Sequence, residues 1–117
     1  ADGNFPTESM GKECIVVRCD GHGIPELLDA ILEVFPLDTY VENPVNLMEV
    51  MKGDNVKTPI WDEYKNIIGK HDDRGNNVIS TIERFKFYEE AKKAYAIIAT
   101  GEKALYANVI LQKGVVI

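Results

Sequence analysis

The chain of 117 residues has few cysteines, a deficit of positive charge and no long apolar run. Thirteen lysines and arginines stand against nineteen aspartates and glutamates, which gives a net charge of −6. Nucleic acid and anionic membranes repel such a chain, so we expect neither as a partner. No segment approaches the roughly 20 consecutive apolar residues that a membrane-spanning helix needs. A neutral small molecule or another protein is therefore the expected partner.

The only two cysteines, Cys14 and Cys19, indicate a reducing compartment rather than a disulfide framework. Five residues apart in a predicted strand, they would point to opposite faces and could share neither a disulfide nor a metal ion. The sequence does not open on a basic and then apolar leader, so secretion is not indicated and we expect a cytoplasmic protein. It also has no signature of a serine nucleophile, a P-loop or a zinc site, and we predict neither a metal nor a cofactor.

Helical and strand patterns alternate along residues 1–117, which predicts one α/β domain with a mixed sheet flanked by helices. The predicted strands cover residues 13–19, 45–51, 78–82, 96–99 and 106–112. The predicted helices run from Pro25 to before Pro36, from Pro59 to near Gly69 and from about Arg84 to Ala94, with Phe85, Tyr88 and Ala91 buried. Residues 1–6 read like the end of a strand entering a loop, so we expect a strand and a helix upstream of residue 1.

The alternation near the carboxyl end is the most informative pattern. In a strand, Tyr106, Asn108, Ile110 and Gln112 share one face, and Ala107, Val109 and Leu111 share the other. The second set fits a core. The first begins with a phenol and a carboxamide, and both groups can donate and accept hydrogen bonds. This face favours a sugar or another polyol as the ligand.

Other polar residues are candidates with plain alternatives. Asp2 is either a carboxylate facing a pocket or a loop cap, and Arg84 is either a ligand contact at a helix start or one half of a surface ion pair. His22, between two glycines, could titrate near neutral pH, but a solvated turn histidine explains it as well. His71 lies in a charged segment that is typical of a solvated face. Tyr106 and Asn108 could be mere polar residues of an edge strand.

Read together, these segments resemble the L-fucose mutarotase branch of the sugar-mutarotase family that also contains D-ribose pyranase. The likeness spans almost the whole chain in order. The matching motifs are D-G-N-F-P at 2–6, D-G-H-G-I-P-E-L-L at 20–28, F-P-L-D-T-Y-V at 35–41, E-R-F-K-F-Y-E-E-A at 83–91, I-I-A-T-G-E at 97–102 and Y-A-N-V-I-L-Q-K-G-V at 106–115.

The resemblance implies a fold of the ribose-pyranase and fucose-mutarotase type and an isomerase that interconverts the α and β anomers of L-fucose. It implies ring opening and closure by acid/base assistance, a homodecamer with pockets shared between subunits, and no cofactor. The implied substrate-binding residues are Asp2, Arg84, Tyr106, Ala107 and Asn108, of which Asp2 and Tyr106 are the implied catalytic residues. The family's main acid/base histidine is expected upstream of residue 1, and its role is not transferred to the other glycine-flanked histidine.

Two alternatives stay open at this stage. One is a mutarotase for D-ribose or another aldose, although the R-F-x-F-Y motif favours the fucose branch. The other is a sugar-binding ring protein without catalysis.

Overall fold

The computed structural model describes residues 1–116, in which short helices alternate with short strands. The α-helices are α1 (Thr7–Met10), α2 (Ile24–Leu32), α3 (Pro59–His71) and α4 (Arg84–Lys92), and a 3₁₀ turn covers Gly75–Val78. The strands are β1 (Ile15–Cys19), β2 (Val45–Met48), β3 (Ile79–Ile82), β4 (Ala96–Thr100) and β5 (Val109–Leu111). Among these residues, no helix is both long and apolar enough to cross a membrane.

The strands form two sheets. In the three-stranded sheet the order is β3-β2-β5, where β2 runs parallel to β3 and antiparallel to β5. This confirms the predicted mixed sheet. The parallel pair β1-β4 forms a separate sheet, with Val16 opposite Ile97. The first residue continues the pairing of β4, because its amino group donates to Ile98 O at 2.7 Å and its carbonyl accepts from Thr100 N at 3.0 Å.

The core lies between α2, α3 and the three-stranded sheet. Each helix buries residues spaced by four, which lie on one face: Ile24, Leu28 and Leu32 on α2, and Ile60, Tyr64 and Ile68 on α3. Pro25 and Pro59 both stand in the first turn of a helix, where a missing N–H costs nothing. This packing places the amino-terminal half of α3 against the loop that leads into β5.

The final strand is shorter than predicted. It begins at Val109, and Tyr106 has a φ of 53°, a left-handed conformation that a strand does not contain. The alternation argument therefore fails for Tyr106 and Asn108, which lie in the preceding loop. Of the residues assigned to the inner face, Ala107 is fully buried as predicted.

Helix α4 buries only one of the three residues predicted. Ala91 is buried as predicted, but Phe85 is 67% exposed, Tyr88 is half-buried, and Phe87 is the other buried residue. The helix has a weak apolar stripe with aromatic residues on several sides, so periodicity alone did not identify its inner face. Cys14 was also misplaced, since it precedes β1; both cysteines are free and partly buried.

A close backbone approach at Gly101 gives a first prediction. A Cβ atom there would overlap the carbonyl oxygen of Asp20, and Gly101 N already donates to His22 O at 3.1 Å. We expect Gly101→Ala to lower the free energy of unfolding by about 1–3 kcal/mol, as overpacking does. Urea denaturation measures the change, with Gly21→Ala as the control because a Cβ there meets nothing within 4 Å. Equal stability of the two variants would contradict the prediction.

Candidate functional site

Asp2 and Asn108 meet through the backbone of the first segment. The Asn108 side-chain oxygen accepts a hydrogen bond from Asp2 N at 2.7 Å, and each residue is only 8% exposed. The Asp2 carboxylate in turn accepts from Asn4 N at 3.0 Å. Burial raises the pKa of the Asp2 carboxyl above its ordinary value, while the backbone amides of Asn4 and Phe5 act in the opposite direction. The Asn108 carboxamide is therefore bound to the backbone of the residue that carries the predicted carboxylate.

Tyr106 is hydrogen-bonded through both its side-chain hydroxyl and its backbone carbonyl. Its hydroxyl donates to the Asp54 carboxylate and accepts from Met51 N at 3.2 Å. The hydrogen bond to Asp54 raises the pKa of the Tyr106 phenol above its ordinary value. At the backbone, Trp61 Nε1 donates to the Tyr106 carbonyl at 2.8 Å, which helps to hold the left-handed conformation.

Ala107 continues the same arrangement one residue later. Its carbonyl oxygen accepts from the buried Tyr64 hydroxyl at 2.6 Å. Two successive carbonyl groups of the loop are thus tied to two side chains of α3. The loop that carries the candidate residues is therefore hydrogen-bonded to a helix of the core.

Arg84 contacts Met51, the residue whose backbone N–H binds the Tyr106 hydroxyl. Its Nη1 donates to Met51 Sδ at 2.9 Å, and its guanidinium lies 5.7 Å from the ring centre of Tyr88. Tyr88 contributes most to the raised pKa of Arg84, with Tyr106 and Asp54 acting in the same direction. The alternative of an ion pair with the preceding glutamate does not hold, because Glu83 instead caps α4 by accepting from the first backbone amides.

The candidate residues thus form two groups joined by the short chain from 106 to 108. Asn108 bonds directly to Asp2, whereas Tyr106 and Arg84 both contact Met51. An apolar cavity of about 550 Å³ between α2, α4, β4 and β5 includes Asn108 in its wall. A second, more polar cavity of about 450 Å³ includes Asp2. Within residues 1–116, Tyr106 and Arg84 line neither of these two cavities.

Comparison with known proteins places the chain in a family. Residues 1–116 match the model of the RbsD / FucU transport protein family. The chain belongs to this family. It is 49% identical to the fucose mutarotase of Homo sapiens, with 98% of this chain and 76% of the relative covered. It matches the crystal structure of FucU from Bifidobacterium longum with a TM-score of 0.98 and 64% identity, covering 100% of this chain and 82% of the other.

A second solved structure that resembles this chain is a complex with a sugar. This is the fucose mutarotase from Streptococcus pneumoniae in complex with L-fucose, with a TM-score of 0.92 and 48% identity. The alignment covers 100% of this chain and 81% of that one. These likenesses confirm the α/β fold predicted for a member of the RbsD / FucU family.

In this RbsD / FucU chain, the described contacts of the two histidine side chains are with acidic residues outside the candidate set. His22 is exposed, and its Nδ1 lies 2.9 Å from Glu26 Oε1 one helical turn later. His71 ends α3, with Nε2 2.7 Å from Asp29 and Nδ1 3.9 Å from Glu33. The ligand atoms of Asp29, Glu33 and His71 lie within 4.8 Å of one another, a spacing that a metal ion could use. Lys70 Nζ also lies 3.2 Å from Asp29, so this carboxylate already has a cationic partner.

Sequence reasoning missed Asp54 and Met51, both of which contact the Tyr106 hydroxyl. One aspartate among nineteen acidic residues has no distinguishing pattern. The available signal was the glycine before it, because a M-K-G-D segment between a strand and a helix is typical of a turn. It could not indicate which residue the turn faces.

The raised pKa of Asp2 gives a prediction about stability. The folded chain holds the proton above pH 3.8, the ordinary value, whereas the unfolded chain releases it there. Stability therefore falls as pH rises through the interval between these two pKa values, and the penalty remains at pH 7. We expect Asp2→Asn, which keeps an oxygen for Asn4 N, to have a higher unfolding midpoint than wild type at pH 7 and a smaller advantage below pH 3.8.

Thermal or urea unfolding at several pH values measures this difference. The exposed loop residue Asp73 supplies the control, since Asp73→Asn should leave the pH dependence near that of wild type. A lower midpoint for Asp2→Asn than for wild type at pH 7 would refute the assignment.

Proposed function

We propose that this chain is a fucose mutarotase, an isomerase that interconverts the α and β anomers of L-fucose. The observation that carries the proposal is the likeness to the Streptococcus pneumoniae fucose mutarotase in complex with L-fucose, which covers 100% of this chain and 81% of that one. The 49% identity to the human fucose mutarotase supports the same activity. A loop with a phenol and a carboxamide, next to a buried carboxyl and a guanidinium, suits a ligand rich in hydroxyl groups.

Mutarotation needs two proton transfers. The anomeric hydroxyl loses a proton and the ring oxygen gains one, after which the aldehyde rotates and the ring closes on either face. Groups that can donate and accept protons near pH 7 accelerate such transfers by about 10²–10⁴-fold when they are positioned. No covalent intermediate enters the reaction.

In this proposal Tyr106 and Asp2 are the catalytic residues. Tyr106 exchanges a proton with the anomeric oxygen, and the protonatable Asp2 carboxyl binds a sugar hydroxyl. Asn108 binds another hydroxyl, and Arg84 donates to sugar oxygens through its planar guanidinium. Ala107 contributes its backbone, which Tyr64 holds in place.

The activity is tested by saturation-transfer NMR on equilibrated L-fucose. Irradiation of one anomeric proton should reduce the signal of the other anomer, and the protein should accelerate this transfer. An exchange rate equal to that in buffer would reject the enzyme and favour a sugar-binding protein without catalysis. The same measurement with D-ribose, and with each sugar as competitor for the other, separates a fucose enzyme from one for ribose or another aldose.

We also propose a homodecamer with pockets shared between subunits, acting in the cytoplasm. The exposed apolar surface supports association: Ile15, Val16 and Val17 of β1 are 39–50% exposed, and the adjacent Tyr95 is 84% exposed. Light scattering coupled to size exclusion measures the oligomer. A monomer at micromolar concentration would refute the assembly, and replacing Val17 by lysine should weaken it.

A further inference from the structure

A turn after β2 holds the Tyr106 hydroxyl from two sides. Asp54 N donates to Met51 O at 3.0 Å, and Gly53 has a φ of 96°, as the third position of a type II turn requires. Met51, the first residue of this turn, donates its backbone N–H to the phenolic oxygen of Tyr106. Asp54, the last residue, accepts the phenolic proton in a hydrogen bond to its carboxylate. The turn therefore supplies one donor and one acceptor to the same hydroxyl.

This arrangement limits what Tyr106 can do to a ligand. A phenol has one proton and two acceptor lone pairs. Here the proton is given to Asp54 and one lone pair accepts from Met51 N, so one lone pair remains. Towards a sugar hydroxyl, Tyr106 is consequently an acceptor. The raised pKa of Tyr106 keeps the phenol neutral at pH 7, so it accepts a proton only if it gives up its own.

We propose that Asp54 is a positioning residue that takes the Tyr106 proton while Tyr106 removes the proton of the anomeric hydroxyl. The inference rests on the proposed function. The anomeric proton passes to the Tyr106 oxygen, and the original phenolic proton passes to Asp54 Oδ2. The carbonyl forms at C1 as the bond from C1 to the ring oxygen breaks, and the ring oxygen takes a proton from water. The resulting hydroxide recovers a proton from Asp54, and ring closure reverses the sequence.

The surroundings of Asp54 fit this role. Residues 51–54 are exposed, so the carboxyl can exchange its proton with water. The guanidinium of Arg84 contacts Met51 of the same turn, and the charge of Asp54 is among the causes that raise the pKa of Arg84. Asp54 does not itself need to touch the sugar, because it acts through the phenol.

Two substitutions separate proton uptake from simple orientation. Asp54→Asn keeps an oxygen that can accept from the phenol but cannot take its proton, whereas Asp54→Ala removes both functions. We expect each to lower kcat for L-fucose anomer exchange about 10²-fold or more, with KM little changed. Asp62→Asn, at an exposed position of α3, is the control with wild-type kcat. Wild-type kcat in Asp54→Asn would overturn the proposal.

A double-mutant cycle and a titration complete the test. Asp54→Asn should have no further effect on a Tyr106→Phe background, because both changes interrupt the same proton path. Without sugar, NMR of tyrosine labelled at the ring carbon that bears the hydroxyl, assigned with Tyr106→Phe, should show a lower Tyr106 pKa in Asp54→Asn. An unchanged Tyr106 pKa overturns the proposal even if wild type is inactive. Inactivity of wild type against buffer instead counts against the proposed function.

Discussion

Replacing Tyr106 by phenylalanine is expected to lower the rate of L-fucose anomer exchange by about 10²–10⁴-fold, the range for loss of one positioned acid–base group. The substitution removes the hydroxyl that contacts Asp54 and Met51 but leaves the carbonyl bound by Trp61. The loop should therefore keep its conformation. Saturation-transfer NMR measures the rate, and near-wild-type unfolding would show that chemistry, not folding, is lost.

The matched control is Tyr40→Phe. This tyrosine is 88% exposed and lies in the segment between α2 and β2, so the loss of its hydroxyl should leave the exchange rate unchanged. If Tyr106→Phe retained the wild-type rate, the role assigned to the phenol would be wrong. If both variants lost activity equally, the effect could not be assigned to position 106.

Replacing Asn108 by alanine is expected to impair both stability and activity. Asp2 N would lose its only side-chain acceptor among the described contacts, in a place from which water is largely excluded. Leaving one buried donor unsatisfied costs about 1–3 kcal/mol. Urea denaturation should show a lower midpoint with an unchanged slope, and the anomer exchange rate should fall because Asp2 is no longer held.

Asn66→Ala provides the comparison, since this asparagine is exposed on α3 and alanine favours a helix. We expect it to be as stable as wild type or more so. If Asn108→Ala were as stable as wild type, the hydrogen bond to Asp2 would make no net contribution to the free energy of unfolding. The claim that this bond stabilises the contact between the first segment and the loop would then be wrong.

Local signals predicted most elements correctly. Prolines at the first turns located α2 and α3, and the strands predicted at residues 13–19, 45–51, 78–82 and 96–99 contain or overlap β1 to β4. The prediction was wrong where tertiary contacts overrule a local pattern. Residues 106–108 alternate like a strand, but hydrogen bonds from Trp61 and Tyr64 hold this segment as a loop.

The sequence indicated most residues of the candidate site, but it did not indicate how these residues are arranged in space. Motifs at both ends of the chain indicated Asp2, Arg84 and residues 106–108, because long motifs identify a family without any knowledge of geometry. Asp54 was not indicated, since its contact with Tyr106 joins residues that are 52 positions apart in the sequence.

By itself, the sequence determined the family, the types of most elements and the acidic surface, because these follow from composition and from interactions within a few residues. Only the tertiary structure decided that Asn108 accepts from Asp2 across 106 positions and that Tyr106 faces Asp54 across 52 positions. Contacts of such separation form when sheets and helices pack, and packing is a property of the whole chain.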